Sequence, residues 1–188
     1  NPRIKVEVKD GHTLRIVEKL ITPDNSQTFT NSYIEFSVGK NAFGYHTKVQ
    51  NYNDSTFSHE TVVASVSRDS HFYNNTFSFE GAMVRNNLTI NLEDENCEGY
   101  MYGLFLLDKK SHVDNNTSVD HMKPNSYSNE LYKGILDEKS TGVFNGKIYV
   151  RQDAQKTNAF QSNNNILLSE DATLHTKPQL EIWADDVK

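Results

Sequence analysis

The stretch "IYVRQDAQKTNAFQSNNNILLSEDA", residues 148–172, carries the pattern on which the fold turns. It contains the same form twice: an apolar strand end, three polar residues, then a small residue. The copies are Val150-"RQD"-Ala154 and Leu168-"SED"-Ala172, 18 residues apart. Val38-"GKN"-Ala42 repeats the form, Leu92-"EDEN"-Cys97 carries one residue more, and Val8-"KDGH" reads as a degraded copy. A strand, turn, strand and turn recurring at about that length suggests stacked coils, in which no coil buries its own apolar face and stacking makes a continuous core. A β-sandwich, with short strands separated by turn signals, fits the spacing equally well. On pattern alone both stay open.

Outward from this stretch, period-two alternation dominates. Ile4, Val6 and Val8 alternate in "IKVEVKDG"; Ile34, Phe36 and Val38 in "YIEFSVGKNA"; Leu88, Ile90 and Leu92 in "NLTINLEDEN"; Phe144, Ile148 and Val150 share a face in "GVFNGKIYVRQDA". "NILLSEDA" and "QLEIWADD" read as the last strands. The one helical candidate is "NELYKGILDEK", with Leu131, Ile135 and Leu136 at helical spacing and Gly134 interrupting it. Asparagine is abundant, 21 of 188 residues, and its amide suits both tight corners and stacked rows.

A chain of 188 residues with a 36% hydrophobic fraction supports one domain with a lean core. Its 25 acidic residues against 19 basic ones give a formal charge of −6, and no basic patch points to nucleic acid or an anionic membrane. No apolar run approaches the roughly 20 residues needed to cross a bilayer. The start, "NPRIKVEVKDG", has no signal-peptide core and no initiator Met, so the chain reads as a segment of a longer, cytoplasmic protein. A single cysteine, Cys97, excludes an internal disulfide. At the small position of the repeat it reads as a buried hydrophobe rather than a nucleophile.

Two clusters could carry chemistry. Asp185 and Asp186 in "LEIWADD" would diverge on an extended strand, while Glu181 and Asp185 would share a face about 13 Å apart at about 3.3 Å per residue. Neither pair chelates, so Asp186 is expected to end the strand. "HVDNNTSVDHMKP" holds His112, Asp114, Asp120 and His121, weak candidates for zinc or ferrous iron that match no compact chelation motif. No nucleophile elbow, P-loop or dinucleotide fingerprint is present. A secreted β-solenoid or lectin-like glycan-binding module is the alternative from the residues, resting on asparagine richness and aromatics such as Tyr100, Tyr102 and Phe105. A polysaccharide-cleaving β-helix enzyme would need carboxylates converging from distant coils.

The blocks "GVFNGKI", "DAQKT", "QSNNNILLS" and "TKPQLEIWADDVK", with "FTNSYIEFSVG", "GAMVRNNLTINLEDENC" and "YGLFLLDKKSHVDNNTSVDH" upstream in order, make the chain resemble the SufB/SufD family of the SUF iron–sulfur cluster assembly machinery, on its SufD side. The resemblance implies an all-β, right-handed parallel β-helix over residues 1–188, without the family's N- and C-terminal helical segments. It implies a non-catalytic scaffold that pairs with a SufB-like paralogue through its C-terminal coils. The expected contact residues are Glu181, Ile182, Trp183, Ala184, Asp185, Asp186 and Val187. A SufC-like ATPase would join only the full-length protein, and an iron–sulfur cluster would pass transiently through the complex, with no cofactor bound by this chain itself. The "LEIWADDV" edge is also expected to support a homodimer of the segment. Two departures matter. The family's Cys-Ser-His-Gly continuation, whose histidine is implicated in cluster assembly, matches no position here. Relatives also often have His at the position of Asn116 and Cys at that of Ser126, which weakens a metal site in that stretch.

Overall fold

The computed structural model describes residues 1–22 and 26–187. Among them are thirteen strands and no helix: β1 (Arg3–Val8), β2 (Thr13–Ile21), β3 (Thr28–Val38), β4 (Phe43–Asn51), β5 (Thr56–Val66), β6 (His71–Phe79), β7 (Met83–Leu92), β8 (Glu98–Leu107), β9 (His112–His121), β10 (Tyr127–Leu136), β11 (Thr141–Val150), β12 (Asn158–Leu167) and β13 (Thr173–Ile182). Odd strands form one sheet in the order β1-β3-β5-β7-β9-β11-β13, and even strands form the other. Every neighbour is parallel. Each coil therefore contributes one strand to each sheet, and the chain is a parallel β-helix.

The 18-residue spacing is half a coil, not a whole one. It measures from the corner after β11 to the corner after β12. Strand-to-strand register sets the full coil, from 26 residues where Phe57 lies beside Met83 to 32 where Thr141 lies beside Thr173. "NELYKGILDEK" is not helical: it lies largely in β10, where Glu130, Tyr132 and Leu136 face inward and are buried. Alternation prevails there because the inward row already has a lumen to fill, and Gly134 sits where a Cβ would meet the Phe105 ring.

Two corners join the sheets. At the corner after each odd strand from β1 to β11, one residue adopts the left-handed region: Gly11, Asn41, Asp69, Asn96, Asn125 and Lys156. Four of the six are Gly or Asn, the types that tolerate that region best. Their amides form a ladder along the axis, Asn41 N–H donating to Arg68 O, Asn96 to Pro124 O and Lys156 to Asp186 O. The following position is small and buried in each coil from the second onward: Ala42, Ser70, Cys97, Ser126 and Thr157. Asn41→Val is expected to cost about 1–2 kcal/mol, because a β-branched residue is strained at its φ of 53°. Asn41→Gly stays within a few tenths of wild type, and urea unfolding midpoints compare the two.

The lumen is layered. Beside the first corner lies the larger apolar cluster, built on Phe36, Phe72, Ile90, Met101 and Ile148. Beside the second lies a smaller one with Val84, Phe105, Val113 and Leu136. Between them runs a buried polar seam. Lys48 Nζ lies 3.1 Å from Glu60 Oε2 and donates to Asn86 Oδ1 at 2.8 Å. Glu60 Oε1 accepts from Gln50, Tyr52 and Ser58. Asn86 donates on to Asn115. Burial alone pushes the Glu60 carboxyl up, but the Lys48 charge and these three donors outweigh it and hold it below the usual range.

Candidate functional site

The C-terminal end of the solenoid is where buried columns become exposed. Ile148 and Val150 of β11 are 0% and 1% exposed. Their register partners on β13, Leu180 and Ile182, are 61% and 47% exposed. Among the described residues, β13 is the last strand of its sheet. Covering such a side chain contributes about 1.5–3 kcal/mol. Phe160, Leu167 and Leu168 lie exposed at the β12 side of the same end.

The free edge of β13 is selectively blunted. Thr173 donates its amide to the Ser140 carbonyl, just before β11, and Trp183 donates to that of Val150 at its end, so the odd-numbered backbone groups face β11 and the even-numbered ones face the free edge. Pro178 occupies an even position, which removes one edge donor without touching the β11 ladder, the usual place for an edge proline. Beside this edge, on the outer face, the Arg151 guanidinium lies 5.5 Å from the Tyr149 ring centre and 5.4 Å from that of Trp183. It is held there by Asp120, with Nε to Oδ1 at 2.9 Å and Nη2 to Oδ2 at 2.7 Å. Lys147 lies over Tyr149 and pairs with Glu181.

Of the expected contact residues, Glu181 and Ile182 end β13, and the strand stops there rather than running through Asp185. Trp183 and Ala184 begin the next corner, Trp183 half-exposed and Ala184 buried. Asp185 and Asp186 are exposed corner residues. The Asp186 carbonyl accepts from Lys156, and its amide donates to Gln155 Oε1 at 2.9 Å. Val187 bridges to Thr157. The twin aspartates thus extend the corner ladder instead of ending a strand, because the corner's backbone hydrogen bonds claim this segment.

The four weak metal candidates do not converge. His112 opens β9, and Asp114 faces out to pair with Arg85 at 2.8 Å and to accept from Asn116. Asp120 holds Arg151 on the outer face. His121 points into the lumen between the hydroxyls of Ser126 and Ser128, at 2.7 and 2.9 Å. Burial lowers its pKa to about 4, against the opposing pull of Asp120. Asn116 joins an outer amide row, accepting from Asn145 at 3.1 Å. No three His, Cys, Asp or Glu side chains among the described residues come together as a metal-holding group. Cys97 is fully buried, its thiol pushed up to about 11 by that burial. It donates to the carbonyls of Val66 and Ser67, an inert setting.

The sequence reading did not pick out Glu130, the inward residue of β10. Glu130 is 1% exposed; Oε2 accepts from Gln161 Nε2 at 2.6 Å, and the Thr117 hydroxyl faces the carboxyl from β9. Burial raises its pKa to about 7. The signal was an acid on the lumen parity of an alternating segment, obscured because that segment also fits a helix.

Residues 1–188 match the family described as SUF system FeS cluster assembly, SufBD core domain. The chain is 32% identical over 188 residues to the iron–sulfur cluster assembly protein SufD of Escherichia coli, covering 99% of this chain and 44% of that protein. It is 30% identical to an iron–sulfur cluster assembly SufBD family protein of Synechocystis, covering 100% and 43%. It is also 30% identical to the chloroplastic protein ABCI7 of Arabidopsis thaliana, covering 100% and 40%. The chain spans less than half the length of these relatives.

Proposed function

This chain belongs to the SufBD core family of the SUF iron–sulfur cluster assembly system, and from that premise we propose that it is a cytoplasmic, non-catalytic scaffold subunit. It pairs with a SufB-like paralogue through its C-terminal coils and supports cluster assembly together with a SufC-like ATPase that engages the full-length protein. The cluster is cargo of the assembled complex rather than a resident group of this chain. The observation that carries the reading is the match of residues 1–188 to the SufBD core family, on a stack of parallel coils whose last strand, β13, has a neighbour on one side only among the described residues. A paralogue built on the same coil pairs with β13, whose Leu180 and Ile182 amides point away from β11. Trp183 and Arg151, flanking that edge, have the aromatic and guanidinium chemistry enriched at interface hot spots. In the absence of the paralogue, a second copy uses the same edge to form a homodimer.

The test is sedimentation velocity of the chain with the purified SufB-like paralogue and SufC-like ATPase from the same organism. A stable one-to-one pair with the paralogue is expected. Ile182→Asp should weaken it at least a hundredfold, since it places a charge in the covered layer, and should also dissolve the homodimer. Failure of the unmodified full-length chain to form any complex with the paralogue would overturn the reading.

A further inference from the structure

The two sheets differ on their outer faces. Outward positions on β9 are His112, Asp114, Asn116, Ser118 and Asp120, all polar. On β8, in the other sheet, they are Glu98, Tyr100, Tyr102, Leu104 and Leu106. The apolar character runs from coil to coil. Lys19, Val49, Phe77, Leu104 and Lys133 stand side by side in register on β2, β4, β6, β8 and β10, so three apolar side chains are bracketed by two lysines. Phe79, Leu106 and Ile135 make the next row. A hollow of about 210 Å³ opens on this face, lined by Phe77, Tyr102, Leu104, Leu131 and Lys133. A contiguous apolar face of this kind marks a contact surface.

Charge on the face is sparse and mostly of one sign. On the outward positions of the even strands the charged side chains are Arg15, Lys19, Lys133 and Glu98. Glu98 is engaged, accepting from the Tyr100 hydroxyl at 2.6 Å and lying 2.9 Å from His71 Nδ1. Arg15 lies over the Tyr45 ring. Lys19 and Lys133 have no ion pair among the described residues. They are four strand spacings apart, about 19 Å at about 4.8 Å each. A chain with a formal charge of −6 thus presents an apolar face bracketed by free cations.

The backbone restricts what can cover it. Strands β4, β6, β8 and β10 each have a neighbour on both sides, so no strand can be added and only a second layer covers the face. A second copy of the same sheet does not suit, because a two-fold axis that lays this row on itself sets lysine against lysine. An anionic membrane calls for a denser basic cluster than two free lysines. An amphipathic helix suits: about 19 Å is about three and a half turns, which places acidic residues near its two ends over the lysines and its apolar stripe over Val49, Phe77 and Leu104. The relatives have more than half of their length outside the matched region, and a cover carried on the same chain docks without the entropy cost of association.

We propose that an amphipathic helix from outside residues 1–188 of the full-length protein lies along the solenoid axis on the outer face of the even sheet, with an apolar side chain in the hollow beside Leu104 and acidic side chains against Lys19 and Lys133. The contact is made within one molecule and does not depend on the paralogue.

The experiment is zero-length carbodiimide crosslinking of the purified full-length protein, prepared as an equal mixture of isotopically light and heavy material and read by mass spectrometry. Lys19 and Lys133 should both join carboxylates of one segment outside residues 1–188, always light to light or heavy to heavy. Leu104→Lys changes an outward side chain on a strand whose backbone stays paired on both sides. It should lower the hydrogen-exchange protection of that segment about tenfold or more, with the β8 amides still protected. Lys19→Glu combined with Lys133→Glu should lower it less, and more at low salt than at high. Light-to-heavy crosslinks from these lysines would assign the face to a second copy and overturn the proposal. Crosslinks from neither lysine, or a segment whose protection ignores both variants, would overturn it too. So would binding to phosphatidylserine vesicles that the double lysine variant abolishes, which would assign the face to a membrane.

Discussion

Lys48→Met is expected to lower the unfolding free energy by about 3–5 kcal/mol. Methionine nearly matches the lysine in volume, so packing changes little. What changes is the seam: Glu60, almost fully buried, keeps its charge but loses the cation 3.1 Å away, and Asn86 loses a donor. An uncompensated carboxylate in the lumen costs far more than the packing gains. Adding Glu60→Gln to this variant should recover roughly half the loss, because it removes the stranded charge while leaving an acceptor for Tyr52 and Ser58. Urea denaturation of the two variants checks this. A Lys48→Met loss below about 1 kcal/mol would mean that water reaches the seam.

The second large effect appears only as pH varies. Glu130 carries a raised pKa, so the stability from keeping it protonated is fully present below its unfolded value of about 4.5. That stability is lost as pH rises through about 7, an interval worth about 3 kcal/mol. His121 works in the opposite sense. Its pKa is depressed to about 4, so its contribution is fully present above about 6.5 and is lost as pH falls toward 4, again about 3 kcal/mol. Between about pH 4.5 and 6.5 the two slopes nearly cancel, and the wild type should show little dependence from this pair. Glu130→Gln unmasks His121: its stability rises with pH across that window, and its advantage over wild type grows from near zero at pH 4.5 to about 3 kcal/mol at pH 8. Chemical denaturation of both proteins at half-unit pH intervals measures the difference curve. A flat difference curve would show that Glu130 ionises freely in the folded chain.

These charged groups also explain how far the sequence could be read. Where the lumen is apolar, as at Phe36 and Val38 or Ile148 and Val150, alternation was plain and the strands were found. Where it is polar, the same alternation runs the other way. On β4 the inward residues are His46, Lys48 and Gln50, and on β6 they are Asn74, Thr76 and Ser78. The outer face of β4, β6 and β8 meanwhile carries a stack of Tyr45, Tyr73 and Tyr100 with ring centres 4.7 and 4.3 Å apart. A hydrophobic pattern cannot tell inside from outside there, and pairing with neighbouring coils decides. The corner repeat was legible only in part: Asn41-Ala42 and Asn96-Cys97 are a left-handed residue followed by a buried small one, but after β11 those places belong to Lys156 and Thr157 rather than Asp153 and Ala154. Its period was misjudged because alternate corners look alike while every second one stacks. At the candidate site the sequence located the exposed strand, but assigned the aspartates after it to that strand, since nothing local shows that their backbone belongs to the next corner.

The uneven coil length has a consequence for how such a chain can change. Steps range from 26 to 32 residues, yet the paired strands keep continuous register. One residue inserted in a strand would turn every lumen side chain beyond it to solvent, whereas one residue inserted at a corner, like the extra one between Leu92 and Cys97, only lengthens a loop. Length drift is thus confined to two seams running along the axis. Descendants of one solenoid can diverge widely in size and surface while the order of side chains down the lumen stays in phase, much as the teeth of a zip stay matched whatever is sewn to the tape.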